Sequence, residues 1–583
     1  MGSQMVFRRY EIKYLMDRRR ALRRKINMSK RIKQAVLPFI LCIALLLAGC
    51  GGAAAEVTAA VSETVSTPLA TTVETMDTGA LFSKRDMDAG YDESAAVSIR
   101  LNGDSALCSS SAVAIDGGEI TLLAEGVYIL SGTLTEGQVV VDAGDGDKVQ
   151  IVLSGADITS ASSAAIYCRE ADKVFLTLAA GTENSLTNGG SFQPVDDSNI
   201  DAVVFSKTDL TLNGSGSLTV TSPGGHGVVS KDELTITGGS YTLTAARHGF
   251  TGKDSVAIAG GSFNITSGSD GIHAENADDA AKGFLCIADG SFTIDAQGDA
   301  ISASGEVQID GGSYALTAGG GSDGVTMKAG NTMQRPGFRD FSAADAAAAA
   351  DATEDTTSCK GIKADGALTV NGGSFDLDTA DDAIHSGADV TITGGEWTIR
   401  TGDDGIHADA AVLIQAGTFT ISYCYEGVEG QSVTIDGGTL DITARDDGIN
   451  AAGGADGSGT AYGFGRQDPF AVDGNCAITI NDGEITIVSD GDCLDSNGSL
   501  TINGGTLKLT CSGNGNTAID ANGTYANNGG SITTNDGSES GTGGMGGGRG
   551  DMGGGKPFGA EKAGGQGMPR EPGQQRPIPG AAA

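Results

Sequence analysis

Short blocks of alternating apolar and polar residues follow one another along this chain of 583 residues, and a glycine step separates many of them. Alternation with a period of two on both sides of a glycine predicts short β-strands joined by sharp turns. The last glycine of each step, called the marker glycine below, recurs at intervals of mostly 21 or 22 residues, at Gly239, Gly261, Gly290, Gly312, Gly373, Gly395, Gly417, Gly438, Gly483 and Gly505.

A unit such as Val390–His407 contains two strands around its glycines and a third short strand at Gly-Ile-His. Strands this short cannot form a sheet by themselves, but coils stacked on one another bury a continuous core and pair their backbones in parallel. We therefore predict an all-β fold, a parallel β-helix with coils of about 22 residues. Longer intervals of 29, 61 and 45 residues predict loop insertions, two of which lie between Met327 and Ser358 and between Ala451 and Asp473.

Large apolar residues stand two positions after each marker glycine. We expect them to point inward and stack from coil to coil, with the single tryptophan, Trp397, in the core rather than on a sugar-stacking surface. The predicted core column contains Tyr241, Phe263, Phe292, Tyr314, Phe375, Trp397, Phe419, Leu440, Ile485 and Leu507.

The amino-terminal region carries a basic stretch, an apolar run from Ala35 to Leu47 and the string Leu47-Ala48-Gly49-Cys50. This arrangement resembles a bacterial lipoprotein signal, which implies cleavage before Cys50, lipidation of that cysteine and export. The apolar run is too short for a comfortable membrane span. We predict an upstream extension from a mis-assigned start (1–27), a signal peptide (28–49), a flexible linker (50–95), the β-helix (96–535) and a disordered glycine-rich tail (536–583).

The chain is strongly acidic, with a net charge of −37. Twelve basic and two acidic residues lie before Cys50, so a chain cleaved there carries about −47. This charge excludes nucleic acid as a partner and disfavours anionic polymers unless divalent cations bridge the two. Apart from Cys42 and Cys50, eight cysteines are scattered without a CxxC pair, which argues against a zinc site. We expect buried thiols, although export would permit disulfides.

An acidic column follows from the register, because the position nine residues after the marker glycine holds His248, Asp270, Asp299, Asp382, Asp404, Glu426, Asp447 and Asp492. Neighbouring coils are about 4.8 Å apart, where two like charges repel by about 1 kcal/mol in water and more when buried. Calcium, which accepts six to eight oxygen ligands, would explain such a column. The predicted calcium ligands are Asp381, Asp382, Asp403, Asp404, Glu426, Asp446 and Asp447, with Asp270 and Asp492 as further candidates.

Turn chemistry is the alternative explanation, because aspartate before glycine commonly accepts hydrogen bonds from nearby backbone amides. We favour it at Asp270 and Asp299. All five histidines occupy the same part of the repeat, where they could bind a transition metal, but a structural or supporting role is the simpler interpretation.

Three strings, Val229–Gly239, Thr251–Ser255 and Ser358–Gly373, resemble the bacterial carbohydrate-binding β-helix lipoproteins, whose fold is similar to that of pectate lyases. The resemblance spans about residues 96 to 535. It implies a right-handed helix, calcium bound on the coils, and binding of cellulose-like or acidic, pectin-type polysaccharide without established catalysis.

Two other function classes remain open, a polysaccharide-cleaving enzyme and a rigid surface spacer. A calcium-dependent lyase needs a basic residue beside the metal, and Lys363, Arg400 and Arg445 are available, but they form no recognisable constellation. A hydrolase needs a dedicated carboxylate pair, whereas the aspartate pairs here recur from coil to coil. A rigid surface spacer would need neither sugar nor metal.

We favour non-catalytic polysaccharide binding, with Tyr423, Tyr425, Lys363, Arg400 and Arg445 as candidate sugar contacts and Ca²⁺ as the cofactor. We expect a monomer that is lipid-anchored to the outer face of the bacterial cytoplasmic membrane and touches the membrane through this anchor alone.

Overall fold

The fold was derived from a computed structural model, which describes residues 75–193, 198–326, 358–452, 472–513 and 515–540. The predicted lipidation site Cys50, the signal peptide and most of the tail lie outside the described residues. Apart from helix α1 (Thr78–Leu81) and two 3₁₀ turns (Ser322–Gly324 and Ser538–Ser540), the regular elements of the described part are β-strands. No helix within these ranges is long and apolar enough to span a membrane.

The strands follow one another closely in chain order. The first ten are β1 (Val97–Gly103), β2 (Ala106–Leu107), β3 (Val113–Asp116), β4 (Glu119–Leu122), β5 (Gly126–Leu134), β6 (Gln138–Asp142), β7 (Lys148–Ser160), β8 (Ile166–Glu170), β9 (Lys173–Leu178) and β10 (Glu183–Asn188). The next fifteen are β11 (Ala202–Ser206), β12 (Asp209–Gly214), β13 (Ser217–Ser222), β14 (His226–Ser230), β15 (Glu233–Ile236), β16 (Ser240–Ala245), β17 (Phe250–Gly252), β18 (Ser255–Ile258), β19 (Ser262–Ser267), β20 (Ile272–Ala274), β21 (Phe284–Ile287), β22 (Ser291–Ala296), β23 (Ile301–Ala303), β24 (Val307–Ile309) and β25 (Ser313–Ala318).

The remaining strands follow the first predicted insertion. They are β26 (Ile362–Ala364), β27 (Leu368–Val370), β28 (Ser374–Thr379), β29 (Ile384–Ser386), β30 (Val390–Ile392), β31 (Glu396–Thr401), β32 (Ile406–Ile414), β33 (Thr418–Cys424), β34 (Val428–Ile435), β35 (Thr439–Ala444), β36 (Ile449–Ala451), β37 (Ala477–Ile480), β38 (Glu484–Ser489), β39 (Leu494–Ser496), β40 (Ser499–Ile502), β41 (Thr506–Cys511), β42 (Ile519–Ala521), β43 (Tyr525–Asn527) and β44 (Ser531–Thr534).

Most coils contribute three strands, although β32 and β34 each run through two of the three positions. From β5 onward each strand pairs in parallel with its equivalent in the next coil, as in β16–β19–β22 or β17–β20–β23. This pairing confirms the all-β solenoid of parallel strands. The strand after the marker glycine forms face A, the short Ile-His-type strand forms face B, and the third strand forms face C. The turn from face A to face B carries the predicted acidic column.

The core column lies inside the solenoid as predicted. Face A strands such as β19 and β22 alternate exposed and buried residues. The rings of Phe263, Phe292, Tyr314 and Phe375 stack with centroid separations of 4.7, 4.8 and 4.6 Å and nearly parallel planes. Trp397 continues the stack 3.8 Å from Phe375 and is 2% exposed. Trp397 is therefore a core residue.

The marker glycines turn the chain into this column. All ten have positive φ, as at Gly395 (φ 109°). A Cβ at Gly395 would lie 2.9 Å from the indole nitrogen of Trp397, so both the backbone conformation and the ring below it favour glycine. The recurrence of glycine in the sequence therefore reflects recurring turn geometry.

The insertions leave the stacking intact. Residues 327–357 and 453–471 lie outside the described residues, but the strands on either side of each gap pair directly, β23 with β26 and β34 with β37. The chain thus rejoins the solenoid in register after each insertion, as the repeat predicts.

The amino-terminal part differs from a simple repeat. Strands β1 and β2, and β3 and β4, pair antiparallel, which the repeat pattern did not predict. The end of the predicted flexible linker is also packed: Asp86 is 2% exposed, forms an ion pair with Lys173 at 2.7 Å and accepts a hydrogen bond from Thr211 at 2.6 Å. Residues 75–95 therefore belong to the folded domain, because buried hydrogen bonds hold them against the coils.

Candidate functional site

A column of polar side chains runs along the turn from face A to face B. We call it the turn column, and its members are His248, Asp270, Asp299, Lys360, Asp382, Asp404, Glu426, Asp447, Asp492 and Thr517. In most steps a side chain accepts a hydrogen bond from the backbone N–H of the next member. For example, Oδ1 of Asp382 accepts from Asp404 at 3.1 Å, and Oδ1 of Asp404 accepts from Glu426 at 3.1 Å.

The same ladder connects Asp270 to Asp299 at 3.0 Å and Asp447 to Asp492 at 2.7 Å. One oxygen of these carboxylates therefore satisfies the turn of the next coil, which is the turn chemistry considered from the sequence. The second oxygen is left for other partners. Turn chemistry and metal binding consequently do not exclude each other in this column.

A second polar column lies on face B, three residues further along each coil. We call it the strand column, and strand register places its members side by side in the order Thr251, His273, Ser302, Lys363, His385, His407, Glu429, Asn450, Asp495 and Asp520. Because both columns project from the same edge of the solenoid, their side chains meet. The chemistry of this edge changes along its length.

In the middle of the edge, a buried lysine compensates the predicted aspartate cluster. Nζ of Lys360 lies 2.9 Å from Asp381 and 2.7 Å from Asp382, and His385 contacts Asp382 at 2.9 Å. Burial alone would lower the pKa of Lys360, but the two carboxylates outweigh burial and raise it above its usual value. Lys360 is therefore a cation that supplies positive charge between Asp381 and Asp382.

The next coils contain a buried histidine. His407 is 1% exposed, and its Nδ1 lies 3.3 Å from Asp404 and 2.9 Å from Glu429. Burial would lower its pKa, but these carboxylates together with Asp382 raise it. His407 therefore neutralises part of the acidic charge from inside the column.

Further along, hydrogen bonds dominate the contacts described for the column. Glu426 is buried and accepts a hydrogen bond from Nδ2 of Asn450 at 2.9 Å, while burial and neighbouring carboxylates raise its pKa well above the usual value. Asp446 is 3% exposed and accepts a hydrogen bond from Tyr425 at 2.8 Å. Hydrogen-bond donors therefore hold both acids.

An acidic cluster lies at the carboxyl-terminal end of the two columns. Ligand oxygens of Asp492, Asp495 and Asp520 all lie within 4.8 Å of one another. Burial, followed by the charge of neighbouring aspartates, raises the pKa of Asp492 and of Asp495 to about 7. Among the described residues, no lysine, arginine or histidine forms an ion pair with this acidic cluster. Oxygen atoms this close together can share one calcium ion, because two ligands of one calcium ion at about 2.4 Å are at most about 4.8 Å apart.

The amide oxygen of Asn450 supports this interpretation. Asn450 is 6% exposed and its Oδ1 is buried without a hydrogen-bond partner in the described part of the chain. Its amide nitrogen is directed to Glu426 in the preceding coil, and Asp495 is its neighbour in strand register in the next coil. A buried amide oxygen without a donor, beside carboxylates, suits an oxygen-ligated cation.

The amino-terminal end of the columns contains histidines instead. The rings of His226, His248 and His273 stack with centroid separations of 5.0 and 4.4 Å. Asp270 contacts Nδ1 of His273 at 2.7 Å and Nδ1 of His248 at 3.4 Å. Burial and nearby cationic groups lower the pKa of His226 to about 3, and burial and His273 lower that of His248 to about 4.

Three of the predicted sugar contacts meet on the outer surface beside the acidic turns. The guanidinium groups of Arg400 and Arg445 lie 5.8 and 5.9 Å from the ring centroid of Tyr423, one on each neighbouring coil. Arg400 forms an ion pair with the exposed Asp323 at 2.7 Å, and Arg445 approaches Asp490 at 3.6 Å. We call these three residues the arginine–tyrosine patch.

The other two predicted sugar contacts lie elsewhere. Tyr425 is 8% exposed and its hydroxyl group is directed inward to Asp446, so it offers no stacking surface, which corrects the sequence-based expectation. The physical reason is a bulge between Ile421 and Cys424, which shifts the pairing register just before this residue. Lys363 is in the strand column, 3.9 Å from Asp299 and 3.8 Å from Asp365.

Sequence reasoning missed four residues of the site: Lys360, Asn450, Asp495 and Asp520. The insertion before Lys360 removed it from the nine-residue register, although Lys360-Gly-Ile-Lys363 matches the Asp-Gly-Ile-His pattern of Asp404–His407. The same pattern could have located Asn450 and Asp495, because they occupy the histidine position of their coils. The histidines thus mark a column that also holds acids and an amide.

Comparison with known proteins assigns this chain to a family. The model of the carbohydrate-binding domain-containing proteins matches residues 116–405 and 404–551, which together make up more than half of the chain. The chain belongs to this family. A carbohydrate-binding domain-containing protein of Acetivibrio thermocellus is 37% identical over 129 residues, which are 22% of this chain and 45% of the relative. The chain thus matches less than half of the relative's length.

A solved structure with a similar chain is that of the polysaccharide lyase-like protein from C. thermocellum, in a gadolinium derivative. It is 27% identical, the alignment covers 51% of this chain and 96% of that chain, and the TM-score is 0.37.

Proposed function

We propose that this carbohydrate-binding domain binds acidic, pectin-type or cellulose-like polysaccharide without cleaving it, and that calcium on the edge formed by the two polar columns bridges protein and sugar carboxylates. Membership of a carbohydrate-binding family supports the sugar. The observation that carries the calcium proposal is the acidic cluster of Asp492, Asp495 and Asp520 beside the unpartnered amide oxygen of Asn450.

The donor set fits calcium better than a softer metal. Carboxylate and amide oxygens are ligands that calcium prefers, and it tolerates irregular geometry. Asp447 adds a carboxylate whose pKa is raised well above its usual value by burial and by Asp495, Asp446 and Asp492. Calcium bound here would remove the repulsion that raises these pKa values. The middle cluster around Lys360 needs calcium less, because a lysine already supplies the charge.

The arginine–tyrosine patch is the proposed sugar contact. A tyrosine ring can pack against the apolar face of a sugar ring, and arginine pairs with a carboxylate through two parallel hydrogen bonds. Arg400, Tyr423 and Arg445 stand on consecutive coils just before the acidic turns. A polysaccharide chain running along the solenoid could therefore contact the patch and the bound calcium together. Sugar carboxylates would displace Asp323 and Asp490 from the two arginines.

The state of Lys360 supports binding without catalysis. A lyase base must be neutral to accept the proton next to a uronate carboxylate. Lys360 lies between two carboxylates that raise its pKa, so it remains protonated. We propose that Lys360 does not act as a proton acceptor.

We further propose that the helix is right-handed, as in the resembled family, and that the chain is an exported monomeric lipoprotein held to the outer face of the bacterial cytoplasmic membrane by lipid on Cys50. The Leu47-Ala48-Gly49-Cys50 string supports the anchor. Mass spectrometry of the mature amino terminus tests this part, because an unlipidated or uncleaved chain would contradict it.

Retention on insoluble polygalacturonate and on cellulose, with calcium or with a chelator, tests the binding proposal. We expect calcium-dependent retention without release of unsaturated sugars. Tyr423→Ala should reduce retention while leaving calcium binding intact, and Asp495→Asn should reduce both. Tyr91→Ala and Asp365→Asn, which alter an aromatic and a carboxylate outside these clusters, are the matched controls. Retention that survives both site variants, or sugar cleavage by the protein, would contradict the proposal.

A further inference from the structure

The histidines at the amino-terminal end of the polar columns form a site that the calcium proposal does not use. Here His248, Asp270 and His273 offer two imidazoles and one carboxylate, with ligand atoms that all lie within 4.8 Å of one another. Their side chains are 24%, 13% and 15% exposed, so solvent and ions can reach them. Oxygen atoms dominate the acidic cluster, whereas nitrogen atoms dominate this one.

Unsatisfied polar atoms surround this group. Nδ1 of His226 and Oδ1 of Asp201 are buried and lack hydrogen bonds to the described residues. A buried polar atom without a partner costs about 1–3 kcal/mol, and two in one cluster are unexpected for a purely structural arrangement. Nε2 of His226 is 3.9 Å from Asp201, which is too far for a hydrogen bond.

The ligand atoms of His273 and Asp270 already adjoin each other. Nδ1 of His273 lies 2.7 Å from Oδ2 of Asp270. His248 is held by the backbone N–H of Asp270, which donates to its Nδ1 at 3.1 Å, and a metal at Nδ1 would replace that hydrogen bond.

We propose that His248, Asp270 and His273 bind one divalent transition-metal ion, independently of calcium and of the polysaccharide. Imidazole nitrogen suits zinc, nickel and copper, whereas calcium prefers oxygen. Three protein ligands leave room for water or for an outside ligand in the remaining positions. Asp201 and His226 lie behind the site and would orient the ion's water or the adjacent ring.

The second stacked histidine pair provides a contrast. His385 and His407 stack at 4.9 Å, but Lys360 already lies on the carboxylate that His385 contacts, and His407 is 1% exposed. A metal ion there would have to displace a buried lysine. This pair therefore serves as an internal control for histidine chemistry on the same edge.

Calorimetric titration of the metal-stripped full chain with zinc, in excess calcium, tests the proposal. We expect binding of one zinc ion, and cobalt should give the visible absorption of a nitrogen- and oxygen-ligated site. His248→Gln and His273→Gln should each weaken zinc binding by about tenfold or more, whereas His385→Gln should leave it unchanged. Thermal melting of the zinc-free variants checks that each is folded. If His273→Gln does not fold, the result for His248→Gln, the more exposed of the two histidines, tests the proposal.

Zinc binding that disappears in excess calcium, that persists in both His248→Gln and His273→Gln, or that falls equally in His385→Gln would overturn the proposal. The outcome is separate from that of the proposed function. Polysaccharide retention and calcium binding are measured without zinc, and the zinc titration is performed without sugar.

Discussion

Replacing Lys360 by methionine should destabilise the solenoid more than any other single lysine substitution on its polar edge. Methionine keeps the length of the side chain but removes the cation that lies 2.9 Å from Asp381 and 2.7 Å from Asp382. The side chain of Lys360 is 10% exposed and that of Asp382 is 4% exposed, so water cannot replace the lost partner. The variant therefore leaves two carboxylates without the ammonium group between them, and His385 is the remaining basic contact of Asp382.

Removing one member of a buried ion pair typically costs about 3–5 kcal/mol, and we expect a loss in this range for Lys360→Met. Lys363→Met is the matched control. Its ammonium group is 3.9 Å from Asp299 and 3.8 Å from Asp365, and its side chain is 27% exposed. Pairs at such distances with a partly exposed lysine contribute about 0–1 kcal/mol, so Lys363→Met should destabilise the protein much less than Lys360→Met.

Urea unfolding in chelator, followed by the fluorescence of Trp397, measures the loss. This single tryptophan stacks on Phe375, whose strand β28 leads into the turn that holds Asp381 and Asp382. The double variant Lys360→Met/Asp382→Asn removes the orphaned charge and should recover about 1–3 kcal/mol relative to additive losses. A Lys360→Met variant within about 1 kcal/mol of wild type, or a double variant with additive losses, would refute the buried ion pair.

Three further substitutions test the amino-terminal clasp, the core and the turns. Asp86→Asn should lower the free energy of unfolding by about 1–3 kcal/mol at neutral pH. Burial alone would raise the pKa of Asp86, but Lys173 and hydroxyl donors lower it, so the stabilisation by Asp86 exists above the usual pKa and is lost as pH falls through the lower pKa of the folded state. Urea unfolding of the wild type and the variant from pH 7 to about pH 2 should therefore show that the difference between their unfolding free energies shrinks. Phe292→Ala should lower the unfolding free energy by about 3–5 kcal/mol, whereas Ser291→Ala, on the exposed side of the same strand, should change it by less than about 0.5 kcal/mol; equal effects would contradict the inward stack. Gly395→Ala should lower the thermal midpoint well below that of Gly394→Ala, because only Gly395 combines positive φ with a ring 2.9 Å from the added Cβ, and equal midpoints would contradict this account of the turn.

The fold was predictable because the same residue types recur at the same positions of most coils. A glycine with positive φ, a large apolar residue two positions later and a polar residue nine positions later recur from Gly239 onward, and the structure gives each of them one role. Before Gly239 the repeat is irregular. The antiparallel pairs there and the packed segment around Asp86 depend on contacts between residues far apart in sequence, such as that with Thr211, which periodicity cannot reveal.

The candidate site was predictable only in outline. The register located the acids, but it could not show that Lys360 enters the column after an insertion or that the amide oxygen of Asn450 is buried without a hydrogen-bond donor among the described residues. The inward rotation of Tyr425 depends on a bulge that leaves no mark in the sequence pattern. The net charge of a column depends on which side chains of neighbouring coils contact one another, and the residue order alone does not predict these contacts.

The most direct test of the central claim is calorimetric titration of the full chain with an oligogalacturonate, once in saturating calcium and once in chelator. The account predicts binding in calcium, little binding in chelator, and loss of the calcium-dependent part in Asp495→Asn but not in Asp365→Asn. Equal affinity with and without calcium, or an Asp495→Asn variant that binds calcium and sugar like the wild type, would contradict it.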